Sequence, residues 1–392
     1  MRHLTALYDA VESHVRSRRA EFLTLPDEAS RIGGVIEMRS LVRWAQELQS
    51  SLTWVDAISD PPLDLGTKYF IELAARRLIT PDVDLVLVPA ADSSYATYSD
   101  PYRKIVSEWG NPATIEGDRV TIVFLPRREQ RSALLHPLIL HELSHAVCSD
   151  HGLTRRALEK AMKRKRLRKR FGQAAEAVKA RDNVVDQEAA LTVAAGLRSW
   201  TEEAICDAIA SFYLGPTYLY SFVVEVLGGN IDRSGSTHPP PRKRIALMLD
   251  HLDSLGWAPI MSRYAGPLDE WLRHSVANGP AYSEERDFLV WMLETTASDL
   301  RSLVGRQLDS HSLTPDDAVL EEIDELLAAG IPPAQSHIGT IDPRSVSLGC
   351  WLHALQNAGG DITSLPLAAD ASGIEGLLSK GLEMAALVNA WD

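Results

Sequence analysis

Residues Pro137 to Cys148 read PLILHELSHAVC. His141 and His145 stand four apart, so on a helix they lie one above the other on one face and offer two imidazole nitrogens to a single ion. Glu142 adjoins the first histidine, which places its carboxylate beside the ion's open position rather than on the ion, the place of a general base. Leu138, Ile139, Leu140, Leu143, Ala146 and Val147 surround this polar triplet, the pattern of a buried helix and not of a solvated one. The same pentapeptide also arises by chance, as two satisfied core histidines. A catalytic zinc takes three protein ligands and leaves the fourth position to water, so the reading requires a third ligand.

That ligand is sought in Trp200 to Tyr213, WTEEAICDAIASFY, a compact helical segment with three acids. Glu203 and Asp207 are four apart and share a face with Ala210 and Ser211, so one carboxylate can reach the metal while the other orients a ligating histidine. Glu202 shares its face with Cys206, Ile209 and Tyr213, an apolar side suited to packing, and the geometry therefore favours Glu203. Further on, STHPPPRKRIALML at 236 to 249 has a proline cluster opening a helix. His238 and Arg244 are polar groups there that can face the site, although each alone reads more readily as a cap, a surface charge or a satisfied histidine.

Taken together, HELSH at 141 to 145, EAICD at 203 to 207 and THPPPRKRI at 237 to 245 resemble, in that order, the gluzincin metallopeptidases of the HtpX and CaaX prenyl endopeptidase family. The resemblance covers about Val83 to Leu252. It implies that His141, His145 and Glu203 bind one Zn2+, that Glu142 activates water, and that Asp207 supports a zinc ligand, His141 by preference. His238 and Arg244 would match the histidine and arginine of the family's last segment. Two departures stand out: HtpX itself is embedded in the membrane, which places this chain nearer the small soluble gluzincins, and Cys148 and Cys206 occupy positions where the family more often has Asn and a small residue.

Composition bounds these expectations. The chain has 392 residues, 45% apolar and 24% charged, an ordinary globular balance. It has no apolar run approaching the roughly 18 to 20 residues of a membrane span. The N-terminal stretch lacks the apolar core of a secretory signal, so a cytoplasmic location is expected. Three scattered cysteines, Cys148, Cys206 and Cys350, provide neither a disulfide framework nor a metal knuckle. The net charge of -13 conceals a basic run, Arg155 to Arg170, with ten Lys or Arg against one acid. This run reads as a solvated helix face or as a docking surface for an acidic partner, and the first carries more weight because no aromatic residues interleave with the charges. Nucleic acid is not an expected partner.

Apolar periodicity predicts helices over 1 to 60, a helix at Lys68 to Leu78, strands at Val83 to Val88 and Arg119 to Leu125, and the histidine helix from near Glu129. Strand, turn and metal helix follow in zincin order, and Arg119 to Leu125 is a candidate edge strand able to hold an extended peptide, with a plain central strand equally weighted. A basic helical hairpin is expected at 153 to 198, and helices continue from Trp257 through Val319 to Leu327, Val346 to Leu355 and Ile374 to Trp391. The expected fold is α+β but mostly helical. It comprises an N-terminal helical region (1–60), a zincin-like domain with a small sheet (61–256) and a C-terminal helical domain (257–392). The function expected is a soluble zinc-dependent endopeptidase acting on protein or peptide substrate. The alternative is a catalytically silent zincin-fold regulatory or scaffold protein, against which the intact Glu142 weighs. An HExxH amide hydrolase of the deformylase kind would take its third ligand from an upstream cysteine, and none precedes His141.

Overall fold

The computed structural model describes residues 65–79, 83–90, 96–99, 119–126 and 132–391 except 228, 278, 279, 281, 337, 338 and 366–372, together with residues 16, 17, 20 and 24. Apart from those last four positions, the helices expected over 1–60 lie outside the described residues. The described chain is mostly helical. It divides into two compact units, Met1–Pro62 with Asp82–Arg127, and Leu63–Pro81 with Arg128–Asp392. The helices of 257–392 thus belong to the same unit as the histidine motif, a different division from the three segments expected.

In the first unit, β1 (Val83–Ala90), β2 (Ala96–Ser99) and β3 (Arg119–Pro126) form a sheet in the order β1-β3-β2. β1 runs parallel to β3, and β2 pairs with its other side antiparallel, Ser99 opposite Thr121 and Ala96 opposite Phe124. Arg119 to Leu125 is therefore the central strand and not an edge. Its ladder groups are already paired on both sides over 121–124, so β-augmentation on this strand is excluded there.

In the second unit α1 (Leu65–Leu78) precedes the sheet in sequence, and α2 (Leu138–His151) carries the histidines. The motif helix begins nine residues later than the periodicity predicts, after a turn over 133–137. Pro137 has no N–H to donate, so it starts a helix readily but cannot lie inside one. Gly152, in the left-handed region at φ 57°, ends α2 and turns the chain into α3 (Leu153–Met162) and α4 (Lys165–Asp182).

The centre of the unit is α5 (Asp186–Leu214), a single helix of 29 residues that joins the second arm of the expected hairpin to the EAICD segment. Its first half is amphipathic, burying Ala189, Val193, Gly196 and Leu197, whereas from Glu203 to Leu214 every residue is buried. A helix covered on all sides needs small and apolar residues throughout, which EAICDAIASFYL supplies. It packs against α2, α3, α4, α6 (Pro216–Leu227), α7 (Pro241–Ser254) and α9 (Glu284–Leu308). Gly215 makes the turn from α5 into α6 at φ 60° and ψ -145°, and a Cβ there would sit 2.8 Å from the Trp257 ring. Only glycine meets both conditions.

α8 (Ala258–Ala277), α10 (Asp317–Ala328), α11 (Pro343–Asn357) and α12 (Ile374–Trp391) complete the unit. Two of them, α11 and α12, reach the motif through the turn that precedes it. Glu375 of α12 accepts from Ser132 Oγ at 2.7 Å and from the Leu134 N–H at 3.1 Å. The Leu134 carbonyl accepts from Trp351 Nε1 of α11 at 3.0 Å and from Ser221 Oγ of α6 at 2.7 Å. Thr67 Oγ1 of α1 lies 2.9 Å from His136 Nδ1.

The basic run is less solvated than its composition suggests. Lys160 and Arg164 both pair with Asp299 of α9, and the guanidinium groups of Arg166 and Arg170 lie 5.3 and 4.4 Å from the centre of the Trp291 ring. The aromatic partner missing from the run itself comes from α9. Among the described residues no helix is long and apolar enough to cross a membrane.

Candidate metal centre

α2 and α5 face each other through their polar residues. His141 Nε2 lies 3.2 Å from Glu203 Oε2, and His145 Nε2 lies 3.5 Å from Glu203 Oε1. The two imidazoles meet edge to face with centres 5.1 Å apart. His141, His145 and Glu203 form a group whose donor atoms all lie within 4.8 Å of one another, and the Glu203 side chain is only 7% exposed. Its Oε2 is buried and faces the His141 imidazole at 3.2 Å and the Arg244 guanidinium at 3.5 Å.

The other ring nitrogen of His141 is fixed from behind. Nδ1 lies 3.0 Å from Asp207 Oδ1, an acceptor that places the proton on Nδ1 and leaves the Nε2 lone pair free for a ligand. Asp207 is itself held by Arg244, whose Nε and Nη2 donate to its two oxygens at 2.8 and 2.7 Å, and by the Tyr218 hydroxyl, which donates at 2.6 Å. Tyr218 is on α6, brought back onto α5 by the Gly215 turn, and no sequence signal pointed to it. Arg244 on α7 lies over the Phe222 ring at 4.5 Å and reaches within 3.5 Å of Glu203.

Buried charge explains the protonation of this cluster. Burial pushes the Asp207 carboxyl up, but the charge of Arg244 and its hydrogen bonds prevail and hold the group well below the usual range. Glu203 is likewise raised by burial and lowered further by His141 and Arg244, to about 2. Burial lowers His141, yet the charge of Glu203 and the hydrogen bond to Asp207 lift it to about 10. With two carboxylates against one guanidinium, the buried site carries an excess negative charge. A proton on His141 balances it, and a metal ion could take that proton's place.

Glu142 is half-buried beside His141 and has no hydrogen-bond or ion-pair partner among the described residues. His238, on the loop before α7, is 58% exposed, with Nε2 3.6 Å from Glu203 Oε1 and Nδ1 2.8 Å from Thr237 Oγ1. The structure thus brings His141, His145, Glu203, Asp207, His238 and Arg244 together, and Glu142 adjoins His141 in the chain. It differs at Glu202. Rather than packing on an apolar side, its Oε1 lies 3.1 Å from His145 Nδ1 and its Oε2 accepts from Thr154 Oγ1 of α3 at 3.4 Å. α3 and the second histidine border that side, so it is not a purely apolar face.

Cys148 and Cys206 are buried with their sulfur atoms 3.7 Å apart across the α2–α5 contact, and neither belongs to the metal-ligating group. Comparison with family models, curated proteins and solved structures returned no match.

Proposed function

We propose that this chain is a zinc-dependent endopeptidase of gluzincin type, with His141, His145 and Glu203 holding one Zn2+. The observation that carries the reading is the convergence of two imidazole Nε2 atoms on one buried carboxylate. One donor atom from each of the three residues lies within 4.8 Å of the others, a grouping that could hold a single ion, and two imidazoles with a carboxylate are a donor set that zinc takes. The excess negative charge of the site fits a divalent cation too. When bound, zinc would supply Lewis acidity toward a carbonyl and lower the pKa of water toward neutrality.

The chain's own residues then have distinct tasks in amide hydrolysis. Glu142, unpartnered and next to the first ligand, takes a proton from the attacking water and passes it to the leaving amine as the C–N bond breaks and the new C–O bond forms. His238, exposed at the rim, donates a hydrogen bond to the oxygen on which negative charge develops. Asp207, with Arg244 and Tyr218 behind it, keeps the His141 ring in one orientation and one tautomer. The zincin core is part of this reading and rests on the pairing of the HELSH and EAICD helices. The solvent-facing cations Lys163, Lys165, Arg168 and Lys169 offer a docking face to an acidic partner.

The test is zinc analysis of the purified protein joined to an unbiased peptide-library cleavage assay. About one zinc per chain, with cleavage abolished by chelation and restored by zinc, is the expected result. Full cleavage without metal overturns the mechanism. Bound zinc without cleavage of any peptide points to the scaffold alternative.

A further inference from the structure

We propose that Glu202 is the positioning residue for His145, the counterpart of Asp207 for His141. The proposal rests on the metal-centre reading above. His141 and His145 are four residues apart, about 6 Å along α2, while Asp207 and Glu202 are five apart, about 7.5 Å along α5. The contacts pair 141 with 207 and 145 with 202, in opposite directions along the two helices. Glu203 falls between those two acids, where both Nε2 atoms point. One helix therefore presents a ligand flanked by two acceptors, one behind each imidazole.

A carboxylate is the right group for this task because it only accepts. Facing Nδ1 at 3.1 Å, it requires the proton there and directs the Nε2 lone pair to the ion, and its charge makes the imidazole a better donor. The Thr154 hydroxyl, donating to the second oxygen at 3.4 Å, holds the carboxylate in place from α3. The same geometry excludes Glu202 as an alternative ligand, since its oxygens lie on the Nδ1 side of the ring, away from the Nε2 side that Glu203 occupies.

The experiment measures zinc affinity by competition with a chromogenic chelator in wild type, Glu202→Ala and Glu202→Gln. Alongside it, the His145 tautomer is read from long-range 1H–15N spectra of the zinc-free proteins at mildly alkaline pH. Glu202→Ala is expected to weaken zinc binding by about 10- to 100-fold, with loss of the Nδ1–H form as the dominant tautomer. Glu202→Gln retains an acceptor oxygen and is expected to recover most of the affinity together with the Nδ1–H form, whereas a purely structural role would leave the tautomer unchanged even in Glu202→Ala. Zinc bound by Glu202→Ala as tightly as by wild type overturns the proposal. If wild type binds no zinc yet its His145 Nδ1–H depends on Glu202, the metal reading falls and the ring-orienting contact stands. If the tautomer is also indifferent to Glu202, both fall.

Discussion

The indole Nε1 of Trp351 donates to the carbonyl of Leu134 at 3.0 Å, across 217 positions of sequence. Beside it, Glu375 accepts two hydrogen bonds from Ser132 and Leu134. These contacts give the C-terminal helices a task, which is to fix the turn that launches the histidine helix. Glu375→Ala would leave a buried hydroxyl and a buried N–H without an acceptor, at about 1 to 3 kcal/mol for each. Trp351→Phe loses a bond whose acceptor keeps Ser221, at about 1 kcal/mol, and also leaves a cavity where the fully buried indole was. The urea midpoint of Glu375→Ala should fall accordingly, and a midpoint equal to wild type would refute the pinning role of Glu375.

Glu142→Gln removes the general base but no ligand. Zinc content and the unfolding midpoint should match wild type, while the rate of peptide cleavage should fall at least about a hundredfold. Near-normal cleavage would eliminate Glu142 from the proposed mechanism.

Glu203→Ala removes a ligand and also leaves the Arg244 guanidinium with Asp207 alone. Zinc stoichiometry should fall well below one per chain, a larger loss than the weakened affinity expected of Glu202→Ala. Full occupancy in Glu203→Ala would show that the third ligand lies elsewhere.

How far the sequence discloses the site depends on how local each signal is. His141, Glu142 and His145 declare themselves in five residues, and Glu203 and Asp207 follow from one helical face. Tyr218 and Thr154 carry no such mark. Tyr218 reaches Asp207 only because Gly215 reverses the chain, and Thr154 reaches Glu202 only because Gly152 turns α2 into α3. The fold is disclosed similarly. Helices at 319–327, 346–355 and 374–391 are legible from apolar period, whereas the central position of β3 depends on β2, a four-residue strand with no periodicity of its own. The late start of α2 is legible from Pro137, against the apolar run that surrounds it.

The cations of the basic run should separate into two classes. Arg166 and Arg170 lie over Trp291, so replacing both with Glu forfeits two cation–π contacts of roughly 0.5 to 1 kcal/mol each at an exposed site. Lys165, Arg168 and Lys169 point to solvent, and the same replacement there should change the unfolding midpoint little. Equal destabilisation by the two sets would contradict the docking of α4 on α9.

His251 provides a pH dependence that is separate from the metal ligands. It is 2% exposed on α7, against the Phe212 ring, and its Nδ1 has no hydrogen-bond partner among the described residues. Burial, followed by the nearby Arg301 charge, lowers it from 6.5 to about 4, despite an opposing contribution from Asp250. The folded chain therefore keeps this ring neutral in a range where the unfolded chain protonates it. Its contribution to stability is complete above about pH 6.5 and is lost progressively as pH falls toward about 4, because the unfolded state then binds the extra proton. Between about pH 7 and 4.5 the loss should be about 2 to 3 kcal/mol. His251→Leu cannot take up that proton, so over the same range its stability should decline less than wild type by this amount, with both measured as zinc-free protein. Parallel pH profiles for the two would show that His251 is not held neutral by the fold.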